Sequence, residues 1–477
     1  MMTRLYANVL SGAVCAALVG AFVAVAAGQS AEVVPDPPEP ALEQSAPEAQ
    51  APPEQAEEPA EPPGERPQPD ATQPAAPSYN LLTANRLTGD WFGARTKLQD
   101  AGISFDPLFA VGYQQNFRGG ANTHNAHDVA GMAFWNLEFD FGKMGLAPGA
   151  TFFARGSQSW HSGIRPDVGS LTHPGVVVST LGDSEIEIQK WWWRQRLFDD
   201  RLEFRLGKLY TGDTMDTVEY AGNPIGKFMN EALFRNMTVP ETIGLGTFVK
   251  VWPTDWLYLA GQVVDAESDL DINRRGTGGF DSTFHGPARF LTYGELGFLP
   301  AELPVAEGWW PGHYRFGVWH DFTPKTVFIN DLGGRRAEQL DNSDVGFYMN
   351  LDQMVWKENQ YPTDKQGLGL FVRYGLTHKH VNLINHYWAV GAEYTGLLPS
   401  RDTDTLGFGV TQSILSGQHR RTIDEFDDRE TVYELYYAFK LTPWCTISPD
   451  IQIITNPGGQ KGARDALVGG LRITMSF

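Results

Sequence analysis

The side chains with chemistry to offer are charged residues that alternate with apolar ones. Glu203 and Arg205 stand between Leu202, Phe204 and Leu206, and Glu434 and Lys440 alternate with Tyr433, Leu435, Tyr437 and Phe439. Collected by this alternation, one polar face holds Glu138, Asp140, Arg155, Glu185, Glu187, Glu203, Arg205, Arg315, Arg373, Glu393, Glu434 and Arg472. Both signs are present, so the set offers hydrogen-bond donors and acceptors for hydroxyl groups and no strong preference for ions of one sign. Trp160, Trp191 and Trp193 add flat aromatic faces that match the C–H face of a sugar ring if they project to the same side. The same tryptophans also suit the aromatic girdle of a membrane interface.

Other chemistries fit less well. Glu185 and Glu187 are spaced like a carboxylate pair for glycoside hydrolysis, yet a run of acids on one strand is more simply a polar lining. Glu267, Asp269 and Asp271 alternate as calcium ligands do, without the rest of an EF-hand loop, and read as a solvated acidic loop. His378 and His380 share a face if they lie on a strand, but no third ligand accompanies them, so no metal site is expected. No Gly-x-Ser-x-Gly elbow occurs. The chain reads as a non-enzyme with no cofactor.

The elements that must position these residues have a period of two. At the C-terminus, Leu467, Gly469, Leu471, Ile473, Met475 and Phe477 fall on one face, with Val468, Gly470, Arg472, Thr474 and Ser476 on the other. Similar segments lie near 104–115, 132–141, 150–159, 184–193, 201–209, 244–251, 256–264 and 290–298. They continue near 313–321, 345–352, 366–376, 387–395, 404–413, 430–440, 446–454 and 466–477. Short turns such as 194–200, 252–255 and 441–445 follow even-numbered segments, and long polar stretches such as 160–183, 210–243, 265–289 and 322–344 follow odd-numbered ones. About sixteen strands with this asymmetry predict an all-β fold, a transmembrane antiparallel β-barrel with an apolar exterior and a wet lumen. Closure pairs every backbone group within lipid. A β-sandwich does not require alternating loop lengths, and no propeller-like repeat is present.

The ends differ from this body. Residues 1–31 carry one charge, Arg4, then an apolar run from Val9 to Ala27 and small residues at Ala26, Ala27 and Ala31, the pattern of a secretory signal peptide. Residues 32–78 hold 14 prolines and 11 acids against the single base Arg66, a composition that cannot bury a core and predicts a disordered periplasmic segment. Residues 79–477 form the barrel domain. The formal net charge of −20 argues against nucleic-acid binding. The only cysteines are Cys15 and Cys445, so loss of the leader leaves no intramolecular disulfide.

Several stretches resemble the OprB-type carbohydrate-selective porins. They are Leu87-Thr88-Gly89-Asp90-Trp91-Phe92-Gly93-Ala94-Arg95, Phe198-Asp199-Asp200-Arg201-Leu202 with Arg205, Gly207 and Lys208, and Pro311-Gly312-His313-Tyr314-Arg315-Phe316-Gly317. Tyr394-Thr395-Gly396-Leu397-Leu398-Pro399 with Arg401 and Asp404, and Asn456-Pro457-Gly458-Gly459 with Gly470-Leu471-Arg472 and the terminal Phe477, continue the series. Their order spans roughly residues 81–477. The resemblance implies a sixteen-stranded outer-membrane barrel that passes glucose-like monosaccharides or small oligosaccharides by diffusion through a constriction of arginines and carboxylates. It also implies that Phe477 is similar to the signal read by the barrel-assembly machinery.

One departure from the family lies before Gln195, where members often carry an acid. Lys190 and Arg194 occupy that region here, beside Trp191, Trp192 and Trp193. Expected pore-lining residues are therefore Arg155, Glu185, Glu187, Trp191, Trp193, Arg194, Glu203, Arg205, Arg373 and Arg472. A general non-selective porin and an envelope-anchoring barrel are the alternatives. The expected surroundings are outer-membrane lipid of a Gram-negative-type bacterium, with a homotrimer one option for assembly.

Overall fold

The computed structural model describes residues 79–161, 163–175, 186–223, 225–266, 289–303, 310–331, 334–337, 343–359, 361, 364–422 and 426–477. The leader, the Pro-rich segment, Glu185 and the Glu267–Asp271 triplet lie outside the described residues.

Sixteen antiparallel strands close a barrel. The first nine are β1 (Ile103–Arg118), β2 (His127–Asp140), β3 (Ala150–Trp160), β4 (Glu187–Leu197), β5 (Leu202–Tyr210), β6 (Ile243–Thr254), β7 (Leu257–Asp265), β8 (Phe290–Phe298) and β9 (Gly312–Asp321). A small hairpin, β10 (Phe328–Asp331) with β11 (Gly334–Ala337), stands apart in the next connection. The barrel resumes with β12 (Asp344–Lys357), β13 (Gly367–Thr377), β14 (Ile384–Thr395), β15 (Thr405–Leu415), β16 (Arg429–Thr442), β17 (Cys445–Thr455) and β18 (Ala466–Ser476). β18 pairs with β1 and completes the ring, so the barrel has no free strand edge.

All sixteen expected segments are barrel strands, and most extend a few residues further than the alternation alone marks. Side chains that point outward form an apolar band with Leu206, Leu296, Phe316, Leu370, Val390, Phe408, Leu435, Ile451 and Leu471 exposed on it. Inward side chains are polar and include Asn350, Arg373, Glu434, Gln452 and Arg472, all buried. This is the two-sided pattern of a wet barrel: period two sends every second side chain to lipid and the others to the lumen.

One rim has mostly short turns, such as 198–201, 255–256 and 443–444, and the other has the long connections. The asymmetry is looser than the sequence implies, since the short-turn rim also carries the 299–311 connection and the long-loop rim the brief 378–383. His378 and His380 sit in that brief connection with ring centroids 5.2 Å apart, not on a strand. No group of three or more metal-ligating side chains occurs among the described residues.

At the short-turn rim the chain entering β1 runs along the barrel edge beside the β16–β17 turn and the end of β18. Leu87 N–H donates to Ser476 O (2.9 Å), Trp444 Nε1 to Leu81 O (2.7 Å) and Arg86 Nη2 to Asp106 Oδ1 (2.7 Å). Helix α1 (Ala94–Asp100) follows and leads into β1.

Candidate pore constriction

Two long connections turn inward and bind to the lumen wall. The larger runs from Thr211 to Thr242 between β5 and β6. It contains a single helical turn, α2 (Glu231–Phe234), which starts at Asn230, whose side-chain Oδ1 accepts from Ala232 N–H (3.0 Å). Its base is tied to its own side of the barrel, with Thr211 N–H donating to Thr242 O (3.0 Å) and Thr214 Oγ1 to Gln262 Oε1 on β7 (2.6 Å).

From there the loop crosses to the far wall. Asn350 Nδ2 of β12 donates to Asp216 Oδ1 (2.9 Å), and the Arg373 guanidinium of β13 pairs with the Asp216 carboxylate. Lys227 Nζ pairs with Glu393 of β14 (2.9 Å). Glu434 of β16 accepts from Met229 N–H (2.5 Å) and Asn230 N–H (2.9 Å), and Asn230 Nδ2 donates to Gln452 Oε1 of β17 (2.9 Å). Arg472 Nη2 of β18 donates to Lys227 O (2.7 Å). Phe228 and Leu233 pack into a buried cluster with Phe371, Tyr387 and Tyr436, so apolar burial adds to these polar ties.

Each anchor has a physical reason. A loop brought into a lumen carries unpaired backbone N–H and C=O groups, and buried ones must find partners. Wall carboxylates accept the loop N–H groups, and wall amide and guanidinium groups donate to its carbonyls. Asp216 is fully enclosed, and burial pushes its carboxyl up to about 6, against the opposing pull of Arg373 and Asn350.

The second inward connection, after β3, packs beside the first. Glu430 of β16 accepts from Leu171 N–H (2.8 Å) and Gly458 N–H (2.7 Å), and Pro174 O accepts from Gln114 Nε2 (2.6 Å) and Gln452 Nε2 (2.8 Å). His173 N–H donates to Glu231 Oε2 (3.1 Å), which joins the two loops, and burial lowers the affinity of the His173 ring for a proton.

The open side of the lumen is the β2–β6 wall. The inward residues of β12 to β18 are covered: Arg373 and Arg472 are fully buried, whereas Arg196 is 41% and Arg205 19% exposed in their side chains. On this wall Arg155 Nε donates to Asn136 Oδ1 (2.7 Å) and its guanidinium lies 4.6 Å from the Phe134 ring centroid. Glu203 accepts from Arg205 Nε (2.7 Å) and Arg196 Nε (3.1 Å). Arg194 Nη2 donates to Thr151 Oγ1 (2.9 Å). Lys190 pairs with Asp213 at the root of the large loop. Lys250 Nζ of β6 lies 3.6 Å from the Tyr258 ring centroid.

Of the expected lining residues, Arg155, Glu187, Arg194, Glu203 and Arg205 share this inward face; Glu187 is there as the register partner of Ser157. Arg373 and Arg472 face inward too, but act as loop anchors. Trp191 and Trp193 are corrected: both lie on the outer face. Trp193 is the register partner of Leu206, which is 61% exposed, and its ring packs 4.9 Å from that of Phe141. Trp192 is the inward one, stacked on Phe153 (4.9 Å, 16°) with the guanidiniums of Arg205 and Arg194 at 5.0 and 5.7 Å. Trp160 is likewise outward and stacks on Phe109 (5.2 Å).

The reversal has a local cause. Arg155 pairs with Lys190, but the next residue, Gly156, pairs with Ile188, so Gln189 is an extra residue in β4. A single extra residue flips every side chain beyond it to the other face. Across from Trp192, Gly207 adopts φ +145, and a Cβ there would come within 2.7 Å of Trp192 Cα. Sequence reasoning also missed Asp216 on the loop and Asn350 and Asp352 on β12, which meet only because the loop folds onto that wall: Asn350 donates to Asp216, and Asp352 accepts from Tyr220 N–H of the loop (3.4 Å).

Comparison with known proteins agrees with this architecture. The chain is 23% identical over 429 residues to Porin B of Pseudomonas aeruginosa, covering 82% of this chain and 91% of that protein. It is 24% identical over 435 residues to the putative porin QuiX of Acinetobacter baylyi, covering 82% and 93%. The high-pH structure of Pseudomonas putida OprB superposes with a TM-score of 0.72 at 22% identity, over 84% of this chain and all of that one. The description "Carbohydrate-selective porin, OprB family" matches residues 124–477, three-quarters of the chain. A closed barrel with an inward loop, a polar lumen and this match together identify an outer-membrane channel for sugars, and the chain belongs to the carbohydrate-selective porin, OprB family.

Proposed function

We propose that solute passes between the Thr211–Thr242 loop and the β2–β6 wall, and that Arg155, Glu187, Arg194, Glu203 and Arg205 line its path. The observation that carries this reading is the unequal exposure of inward arginines: Arg373 and Arg472 on β13 and β18 are fully buried against the loop, while Arg196 and Arg205 on β4 and β5 stay 41% and 19% exposed. Glucose-like monosaccharides are the proposed solutes. Guanidiniums and carboxylates replace the water bound to sugar hydroxyls, and the exchange must stay near balance for the sugar to leave. Arg373 and Arg472 shape the gap without touching solute.

Within this proposal residues 1–31 are a cleaved leader and residues 32–78 a periplasmic spacer. The apolar band sits in outer-membrane lipid, and Phe477 is presented to the assembly machinery. Both chain ends of the barrel lie at the short-turn rim, which in bacterial barrels faces the periplasm.

The test is single-channel conductance in a planar bilayer, titrated with glucose, maltose and a neutral polyol. Saturable block by sugars is expected. Conductance that no sugar alters would replace this reading with a general porin, and a folded barrel without conductance would favour an anchor.

A further inference from the structure

Cations gather on the inward face of β3, β4 and β5. Arg194 and Arg205 are direct register partners, and like charges in that position repel. Arg196 follows on the same inward face, opposite Glu203, and Lys190 stands on the other side of Trp192, opposite Arg155. Against these five cations, Glu203 is shared by Arg196 and Arg205, Asp213 is taken by Lys190, and Asp200 lies 3.8 Å from Arg196. Among the described residues no carboxylate comes within ion-pair distance of Arg194 or Arg155, and Arg194 Nε is buried without a hydrogen-bond partner. Glu138, on the neighbouring strand, and Glu187, at the start of β4, add negative charge to this face, and Glu138 acts on Arg194 from beyond ion-pair distance.

The arrangement is nevertheless held in place. Trp192 lies beneath both opposed guanidiniums, and Phe153 stacks on Trp192. Gly207 leaves the space beside Trp192 free of a side chain. Arg205 directs Nε and Nη2 at Glu203 and Arg194 directs Nη2 at Thr151, so the remaining Nη donors of the two guanidiniums, fixed side by side over an aromatic floor, are those left for a carboxylate.

We propose that Arg194 and Arg205 bind the carboxylate of acidic monosaccharides, such as hexuronates and hexonates, while Arg155 and the nearby carboxylates take the hydroxyls. This rests on the carbohydrate-channel reading and narrows its substrate class. A bound carboxylate relieves the repulsion between the two arginines, so charged sugars gain a contact that neutral ones lack.

The experiment is block of the full-length purified protein in planar bilayers by glucuronate, glucose and acetate, each as its potassium salt or in matched potassium chloride. Glucuronate is expected to half-block at a concentration about fivefold below that of glucose, the effect of one added charge-assisted hydrogen bond in an open lumen. Acetate is expected not to block, since it lacks the hydroxyls. Arg194→Gln, checked for heat-modifiable migration as a folded barrel, is expected to bring glucuronate block to the level of glucose; Arg205→Gln serves if that variant does not assemble. Equal block of the unaltered protein by glucose and glucuronate would overturn this inference and leave the sugar channel standing, as would an undiminished preference in the variants. Block by acetate as strong as that by glucuronate would reduce the site to a general anion field and also overturn it. A channel that no sugar blocks would remove the carbohydrate reading itself.

Discussion

Replacing Arg373 with methionine should unsettle the constriction in a pH-dependent way. Arg373 is fully buried, donates to Asp216 O (3.0 Å) and pairs with the Asp216 carboxylate. Without it the carboxylate keeps only Asn350 Nδ2 at 2.9 Å and Asn236 N–H at 3.2 Å. Breaking one side of a buried pair costs about 3–5 kcal/mol. Even with Arg373 present, burial holds Asp216 up to about 6 instead of 3.8, which corresponds to about 3 kcal/mol against the charged form at neutral pH. The sign follows: the seated loop binds the proton more tightly than the released loop does. The penalty is therefore full above about pH 6 and fades as pH falls toward 3.8. Losing the guanidinium moves the upper limit higher.

The assay is single-channel recording of Arg373→Met across a pH series. At pH 7.5 the variant should flicker between levels as the Thr211–Thr242 loop leaves the far wall, and at pH 5 it should become quieter as Asp216 is neutralised. The unaltered channel should be quiet at both. A variant as steady as the parent at pH 7.5, or one that is noisier at pH 5, would refute the anchoring argument.

Three further expectations can be checked directly. Glu434→Leu removes the acceptor of Met229 N–H and Asn230 N–H, at about 1–3 kcal/mol for each buried donor left alone, so proteolysis inside 211–242 should quicken while the barrel still migrates as folded. Trp192→Ala withdraws the aromatic floor under Arg194 and Arg205, worth about 0.5–2 kcal/mol per cation, and sugar block should weaken severalfold; unchanged block would show that the arginines need no such support. Deleting residues 32–78 should leave conductance and sugar block as they were, and a loss of envelope integrity on deletion would point to the anchoring role instead.

The barrel was legible because its cause is local. Each strand alternates apolar and polar residues over its own length, and lipid on one side and water on the other demand that alternation whatever the neighbouring strand is. The segments around 201–209, 431–441 and 467–477 show it without any partner, and the inward placement of Arg155, Glu203, Arg205, Arg373 and Arg472 follows from the same parity. Local parity failed where the chain broke it. Gln189 adds one residue to β4, which turned Trp191 and Trp193 outward and Trp192 inward. Nothing in Glu187-Ile188-Gln189-Lys190-Trp191 announces the bulge, since it is a property of the pairing with β3.

The constriction belonged wholly to the tertiary structure. Met229 meets Glu434 and Asp216 meets Arg373 across long stretches of chain, and only the closed barrel places those strands opposite the loop. The sequence by itself determined the strands, their two faces and the family pattern they carry. Which inward charges hold a loop and which meet a solute was decided by where the loop lies. That choice depends on burial, because an arginine in a sealed wall is an anchor and the same residue in open lumen is a contact for whatever passes.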